Sequence, residues 1–337
     1  MRKAIILTCL GLATGLLFGA GPPQAEITNG QIRAKIYLPD AKRGFYRGTR
    51  FDWSGVIGSL EYKGHNYYGP WFDKVDSSIR DFGFVGPTVL AAPSSAVSGP
   101  ADDFLIPQGW DAAKPGETCV KIGVGAIRKD DKPYNRVGLY PIVNPGKWTI
   151  RRQRDSVEFT HELNDPVSGY GYVYRKLIRL EKGKPAMVLE HHLRNTGRLP
   201  IQGMVYNHNF LVLDKQPSGP DFTITVPFQI QTRQPIKKDF GAIHGNQVVY
   251  LKTLQGDEEM GCNIRGFGES PADYDLRIEN KKVGAGLKIT GDRPLVNLNL
   301  WSIRTTVSLE PYIALKIEPG SEYAWKASYE YYTIPVN

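Results

Sequence analysis

Cysteine is scarce, with three in 337 residues, and no Cys-x-x-Cys pair is present. That excludes a disulfide-stapled scaffold, a zinc ribbon and a thioredoxin-type redox centre. Histidine numbers only six (His65, His161, His191, His192, His208 and His244), so few side chains are available to titrate near neutral pH. No Gly-x-Ser-x-Gly elbow occurs, and Gly123-Val124-Gly125 has neither the spacing nor the following helix of a phosphate-binding loop. Apolar runs beyond residues 4–18 are no longer than an ordinary strand, so no later segment spans a bilayer as a helix. The net charge is +8, but it is spread without a long block of one sign, which argues against nucleic acid as the partner. A sustained 3.6-residue apolar period is also missing, which excludes an all-helical fold.

Glycine (36) and proline (24) are plentiful, and Tyr (18) exceeds Phe (13), a composition of many turns and strands. Arg2 and Lys3 precede the apolar run 4–18, which is short and glycine-interrupted; small residues at Ala20 and Ala25 and the pair Pro22-Pro23 follow. This reads as a bacterial-type secretory signal over residues 1–25, with a mature start near Glu26 and a periplasmic or secreted location. Cys9 lies too near the start to be a lipoprotein cysteine. Removing Arg2 and Lys3 lowers the charge by two, to +6. Cys119 and Cys262 then remain, as a disulfide or as two buried thiols.

Residues 26–337 show no repeat or linker and are expected to form one domain. Alternation of period two is clearest at the C-terminus, where Tyr323, Trp325, Ala327, Tyr329 and Tyr331 share a face, and at 187–194, where Met187, Leu189, His191 and Leu193 do. Further strands are expected at 31–38, 51–62, 119–127, 147–152, 157–163, 171–180, 204–213, 222–231, 247–252, 284–289, 295–301 and 311–317. Gly, Pro, Asn or Asp turns join nearly all of them, so the fold class is all-β, a large antiparallel β-sandwich.

Two features carry chemistry. His208 lies in Tyr206-Asn207-His208-Asn209-Phe210 on a strand, among polar neighbours; a core histidine bonded to backbone is the alternative. Glu310 stands between Leu309 and Pro311, where desolvation would raise its pKa. His191 and His192 point to opposite faces and cannot share a metal ion. His65 and His244 are expected in solvated turns. Asp273-Tyr274-Asp275 lacks the ligand count of a calcium loop, so no metal site is assigned. Of the six tryptophans, one or two lining a cleft would suit a pyranose face.

From about Val157 onward the chain resembles the galactose mutarotase (aldose 1-epimerase) superfamily. The resemblance rests on the Asn195–Pro200 turn, Asn207-His208-Asn209-Phe210, Asp273 or Asp275, Leu298-Asn299-Leu300-Trp301, Glu310-Pro311 and Pro319-Gly320, in that order over roughly half the chain. It implies a β-supersandwich and anomer interconversion. Glu310 would take the anomeric proton and a protonated His208 would give one to the ring oxygen, with no cofactor. A mono- or oligosaccharide would be held by Arg50, Arg80, Asn207, Asp275 and Trp301. The N-terminal half departs from the pattern: Gly69–Phe72 through Arg80–Gly83 contains no histidine, and Arg80 is expected to act as donor in its place. Arg50 is either a second donor or simply the partner of Asp52. Two alternatives remain on the same fold: a glycoside hydrolase or lyase, with Asp273 or Asp275 as a second carboxylate, and a carbohydrate-binding protein without catalysis. The oligomeric state is not set by the sequence.

Overall fold

The computed structural model describes residues 21–336, so most of the expected signal segment lies outside the described residues. Two antiparallel sheets dominate. The larger has ten strands in the spatial order Lys147–Arg152, Ser156–Asp165, Tyr170–Leu180, Ala186–Asn195, Glu322–Thr333, Ala285–Gly291, Asp275–Asn280, Phe222–Thr225, Gln247–Tyr250 and Gly241–His244. The smaller has five: Glu259–Ile264, Asn297–Ile303, Thr306–Ile317, Ile201–Phe210 and Gly99–Phe104. Three smaller sheets flank them. The described helices are two single 3₁₀ turns, Leu213–Lys215 and Pro271–Asp273, and none is long or apolar enough to cross a membrane.

The alternation at the C-terminus holds, since Trp325, Ala327, Tyr329 and Tyr331 are buried while Lys326 and Glu330 are exposed. His191 is buried and His192 only partly so, on opposite faces. Leucines and isoleucines of both large sheets meet in one core, at a separation that side chains from two facing sheets fill. Polar groups also bridge the layers: Tyr329 donates to Asn209 Oδ1 at 2.9 Å, and His191 Nε2 lies 3.2 Å from Asp102. Lys176, itself buried, contacts both Asp102 and Asp52, so these buried carboxylates are each met by an ammonium.

Several expected strands change their limits. The segment 51–62 starts as a turn and becomes a strand only at Val56, because Gly55 takes φ +74°, where a Cβ would strike Phe159. The segment 119–127 is a hairpin, Thr118–Lys121 and Gly125–Arg128, reversed around Gly123 at φ +75°. The segment 222–231 stops at Thr225, two residues before Pro227. The edge strand Gly99–Phe104 lies outside the strands expected from sequence; salt bridges from Lys176 to Asp102 and from Lys121 to Asp103 offset the burial of those carboxylates. Gln24 and Ala25 pair with Tyr37 and Ile36, so the strand Gln24–Thr28 begins ahead of the start expected at Glu26. Cys119 and Cys262 are free and buried, in separate core clusters.

Candidate active site

The five-stranded sheet builds the site by register. In Ile201–Phe210 the pleat sends Tyr206, His208 and Phe210 to one face and Asn207 and Asn209 to the other. In Thr306–Ile317 the same face receives Ser308, Glu310 and Tyr312. Tyr206 pairs with Tyr312 and with Asp103, while Asn299 pairs with Glu310 and Trp301 with Ser308. Cross-strand rows therefore bring His208 and Glu310 together although 102 positions separate them in the chain.

His208 Nε2 lies 3.1 Å from Glu310 Oε1, and its Nδ1 lies 2.8 Å from Ser308 Oγ. An ionised Glu310 can only accept, so Nε2 is assigned the hydrogen and Nδ1 accepts from the Ser308 hydroxyl. Glu310 Oε2 also accepts from Tyr312 OH at 3.1 Å. The imidazole is held flat against Phe210, ring centroids 3.7 Å apart and nearly parallel, and Trp71 stacks on the far side of Phe210 at 5.5 Å. Both groups are almost sealed, His208 at 4% and Glu310 at 7% exposure.

Burial raises the Glu310 carboxyl above its ordinary value, against the opposing pull of Arg50 and Arg136. For His208, burial and then those same arginines push the imidazole well below its ordinary value. The expectation of a protonated His208 is corrected here. Two cations face it from the loops, and the neutral ring is the form this environment favours.

Arg50 is buried and fully engaged. It reaches Asp81 at 3.3 Å, Asp103 at 3.4 Å, Ser95 at 3.3 Å and Tyr206 OH at 3.2 Å. It does not pair with Asp52, which instead lies by Lys176. Asp103 is further held by Lys121 at 2.8 Å. Arg50, Asp81 and Ser95, together with Trp71, Phe82, Trp301, Glu259 and Arg136, line a cavity of about 170 Å³ over His208 and Glu310. Trp301 donates Nε1–H to Glu259 at 2.7 Å, which fixes the indole at the rim. Asp81 and Arg136 also line a wider cavity of about 840 Å³.

Of the residues singled out from sequence, His208, Glu310, Arg50 and Trp301 converge here. Arg80 does not: it is exposed and lines only the wider cavity, and the donor position falls to Arg50 and Arg136. Asn207 points through the sheet to the other side and donates to Asp102 at 2.6 Å, because residues adjacent in a strand face opposite ways. Asp275 belongs to the ten-stranded sheet and pairs with Lys288 at 3.1 Å; Asp273 caps a surface turn. His65 is half-buried against Asp214 at 2.7 Å rather than solvated, while His244 is exposed as expected. Sequence reasoning missed Asp81, Ser95, Asp103, Arg136, Glu259 and Ser308. Only Ser308 carried a signal, as the residue two before Glu310 on the same face.

This large antiparallel sandwich has the galactose mutarotase-like fold. The chain is similar in structure to a galactose mutarotase related enzyme from Lactobacillus acidophilus (TM-score 0.52, 12% identity, 93% of this chain and 98% of that one). It is similar also to a galactose mutarotase-like protein from Lactobacillus casei (0.52, 13%, 92% and 100%). A third similar structure is the GalM/aldose epimerase homologue from C. elegans (0.50, 14%, 92% and 99%). At these identities the likeness is one of fold. No family model matches the sequence, and no curated protein does.

Proposed function

We propose that the protein is an exported carbohydrate-active enzyme of the aldose 1-epimerase type. The observation that carries this reading is the 3.1 Å approach of His208 Nε2 to Glu310 Oε1 at the base of a small enclosed cavity. The anomeric oxygen and the ring oxygen of a pyranose share one carbon, so groups that address them must stand side by side. In the proposed reaction Glu310 takes the proton from the anomeric hydroxyl and the bond from C1 to the ring oxygen breaks. The Nε2–H of His208 meets the charge developing on the ring oxygen, which then receives the proton held by Glu310. The carbonyl carbon turns, and the reverse steps close the other face. Protons balance within the pair, so the cycle as written uses no cofactor. Trp301 and Trp71 supply apolar faces for the ring.

Export is part of the proposal, with processing after Ala20, which leaves the strand Gln24–Thr28 whole. A glycan-cleaving enzyme is the second reading, favoured by the room in the wider cavity. Its second carboxylate would be Asp81 or Glu259, since Asp273 and Asp275 lie elsewhere. Polarimetry on freshly dissolved α-anomers of several aldoses tests the first reading. Either His208→Asn or Glu310→Gln should lower turnover by roughly 10²–10⁴-fold with sugar affinity largely kept. Anomer exchange no faster than in buffer, alongside glycan cleavage that needs Glu310, would replace it with the second.

A further inference from the structure

We infer that the sugar this cavity takes is a uronate, with Arg136 as the residue that reads its carboxylate; the inference rests on the epimerase-type reading for the orientation of the ring. The two arginines of the site differ in their engagement. Arg50 commits its donors to Asp81, Asp103, Ser95 and Tyr206. Arg136 makes no hydrogen bond among the described residues. Its nearest carboxylate oxygen, Asp103 Oδ2, is 4.0 Å from Nε and already accepts from Arg50 and Tyr206. Its side chain is 40% exposed, and the residue lines both cavities.

The backbone beside Arg136 is built to hold it there. Asn135 N–H donates to Tyr140 OH at 2.8 Å, and Gly138 N–H donates to Asn135 O at 2.8 Å. Ser94 donates to Val137 O at 2.6 Å, and Thr49 donates to Gly138 O at 3.0 Å. Thr49 precedes Arg50 and Ser94 precedes Ser95, so the two segments that line the cavity also clamp the Arg136 loop. A guanidinium carried on a clamped loop, with its donors unspent, matches the two oxygens of a carboxylate, a geometry that a hydroxymethyl group cannot satisfy.

Orientation supplies the rest. With the anomeric hydroxyl at Glu310 and the ring oxygen at His208, the carbon outside the ring hangs beside the ring oxygen, on the His208 side. The Tyr206 ring lies 6.0 Å from His208, and the Arg136 guanidinium carbon lies 5.8 Å from that same ring. Arg80 and Lys132 add positive charge to the wider cavity, opposed by Asp130 and by Asp81, the latter tied to Arg50.

Isothermal titration with glucuronate and galacturonate, compared with glucose and galactose, tests this directly. The wild-type protein should bind each uronate at least about 10-fold more tightly than its parent sugar. Arg136→Gln should abolish that ratio, and Arg136→Lys, which keeps the charge and loses the fork, should reduce it. Equal affinities in the wild type, a ratio that survives in Arg136→Gln, or glucose 6-phosphate bound more tightly than glucuronate would each overturn the inference. Polarimetry on the same sample separates it from the reading beneath it. Fast anomer exchange of neutral sugars without uronate preference defeats the inference alone, whereas an Arg136-dependent uronate preference without exchange defeats the epimerase reading alone. Binding of neither sugar defeats both.

Discussion

His161 offers a pH test of how the scaffold behind the site is held. It sits in the strand Ser156–Asp165, paired with Trp148 on one side and Tyr174 on the other, and its ring stacks on Trp148 at 4.0 Å. Nε2 is 2.9 Å from Pro145 O, an acceptor only, so Nε2 carries a hydrogen. Nδ1 accepts from Tyr172 OH at 2.9 Å, and that hydroxyl accepts from Gly123 N–H at 3.1 Å. Every polar atom of the neutral ring is satisfied, and a second ring proton would face a donor. Burial accordingly lowers its pKa from 6.5 to about 4, the hydrogen bond to Pro145 opposing. The folded value lies below the unfolded one, so the unfolded chain binds more protons between them and stability falls as pH drops through that window. The full loss is about 3 kcal/mol, of which about 2 kcal/mol is reached near pH 5. Other groups contribute their own slopes, so the informative quantity is the difference from His161→Gln. Urea denaturation followed by tryptophan fluorescence at about pH 7.5 and about pH 5 should show the wild type losing about 2 kcal/mol more than the variant. Parallel losses would refute the argument that a neutral His161 is built into the fold.

Three further outcomes follow from the same reasoning. Asp103→Asn should destabilise the protein by about 3–5 kcal/mol in denaturant titration, because it leaves the buried Lys121 and Arg50 short of a carboxylate. If the proposed reaction is correct, kcat/KM should fall as pH drops through a Glu310 pKa above its ordinary 4.5; a fall as pH rises through the lowered His208 pKa would instead demand a protonated His208. The thiols of Cys119 and Cys262 are pushed by burial up to about 11, so in the chain lacking residues 1–20 neither should react quickly with Ellman's reagent until denaturant is added, when both should.

Much of the fold could be read from local pattern. Glu322–Thr333 and the second half of Ala186–Asn195 alternate in burial, because one face meets the core and the other does not, whereas Ala186–Leu189 is buried on both faces. His208 and Glu310 were legible for a related reason: a polar side chain flanked by buried strand residues must be accounted for, and here two such residues lie on strands that pair. Arg136, Asp81 and Ser95 were not legible. They sit on loops whose positions are set by contacts such as Thr49 with Gly138 and Ser94 with Val137, each spanning more than forty residues. The buried strand that carries Asp102 and Asp103 was not legible either. Their burial depends on Lys176 and Lys121, and nothing local announces a distant ammonium. The protonation of the site was decided in the same way. Sequence puts His208 and Glu310 each on or beside a strand, but only the packed structure sets them side by side and brings Arg50 and Arg136 over them, and burial first, the arginines' charge second, push the His208 imidazole below its ordinary value. Period-two burial is a property of neighbouring residues, so one strand suffices to reveal it; the charge state of a sealed pocket is a sum over every segment that encloses it.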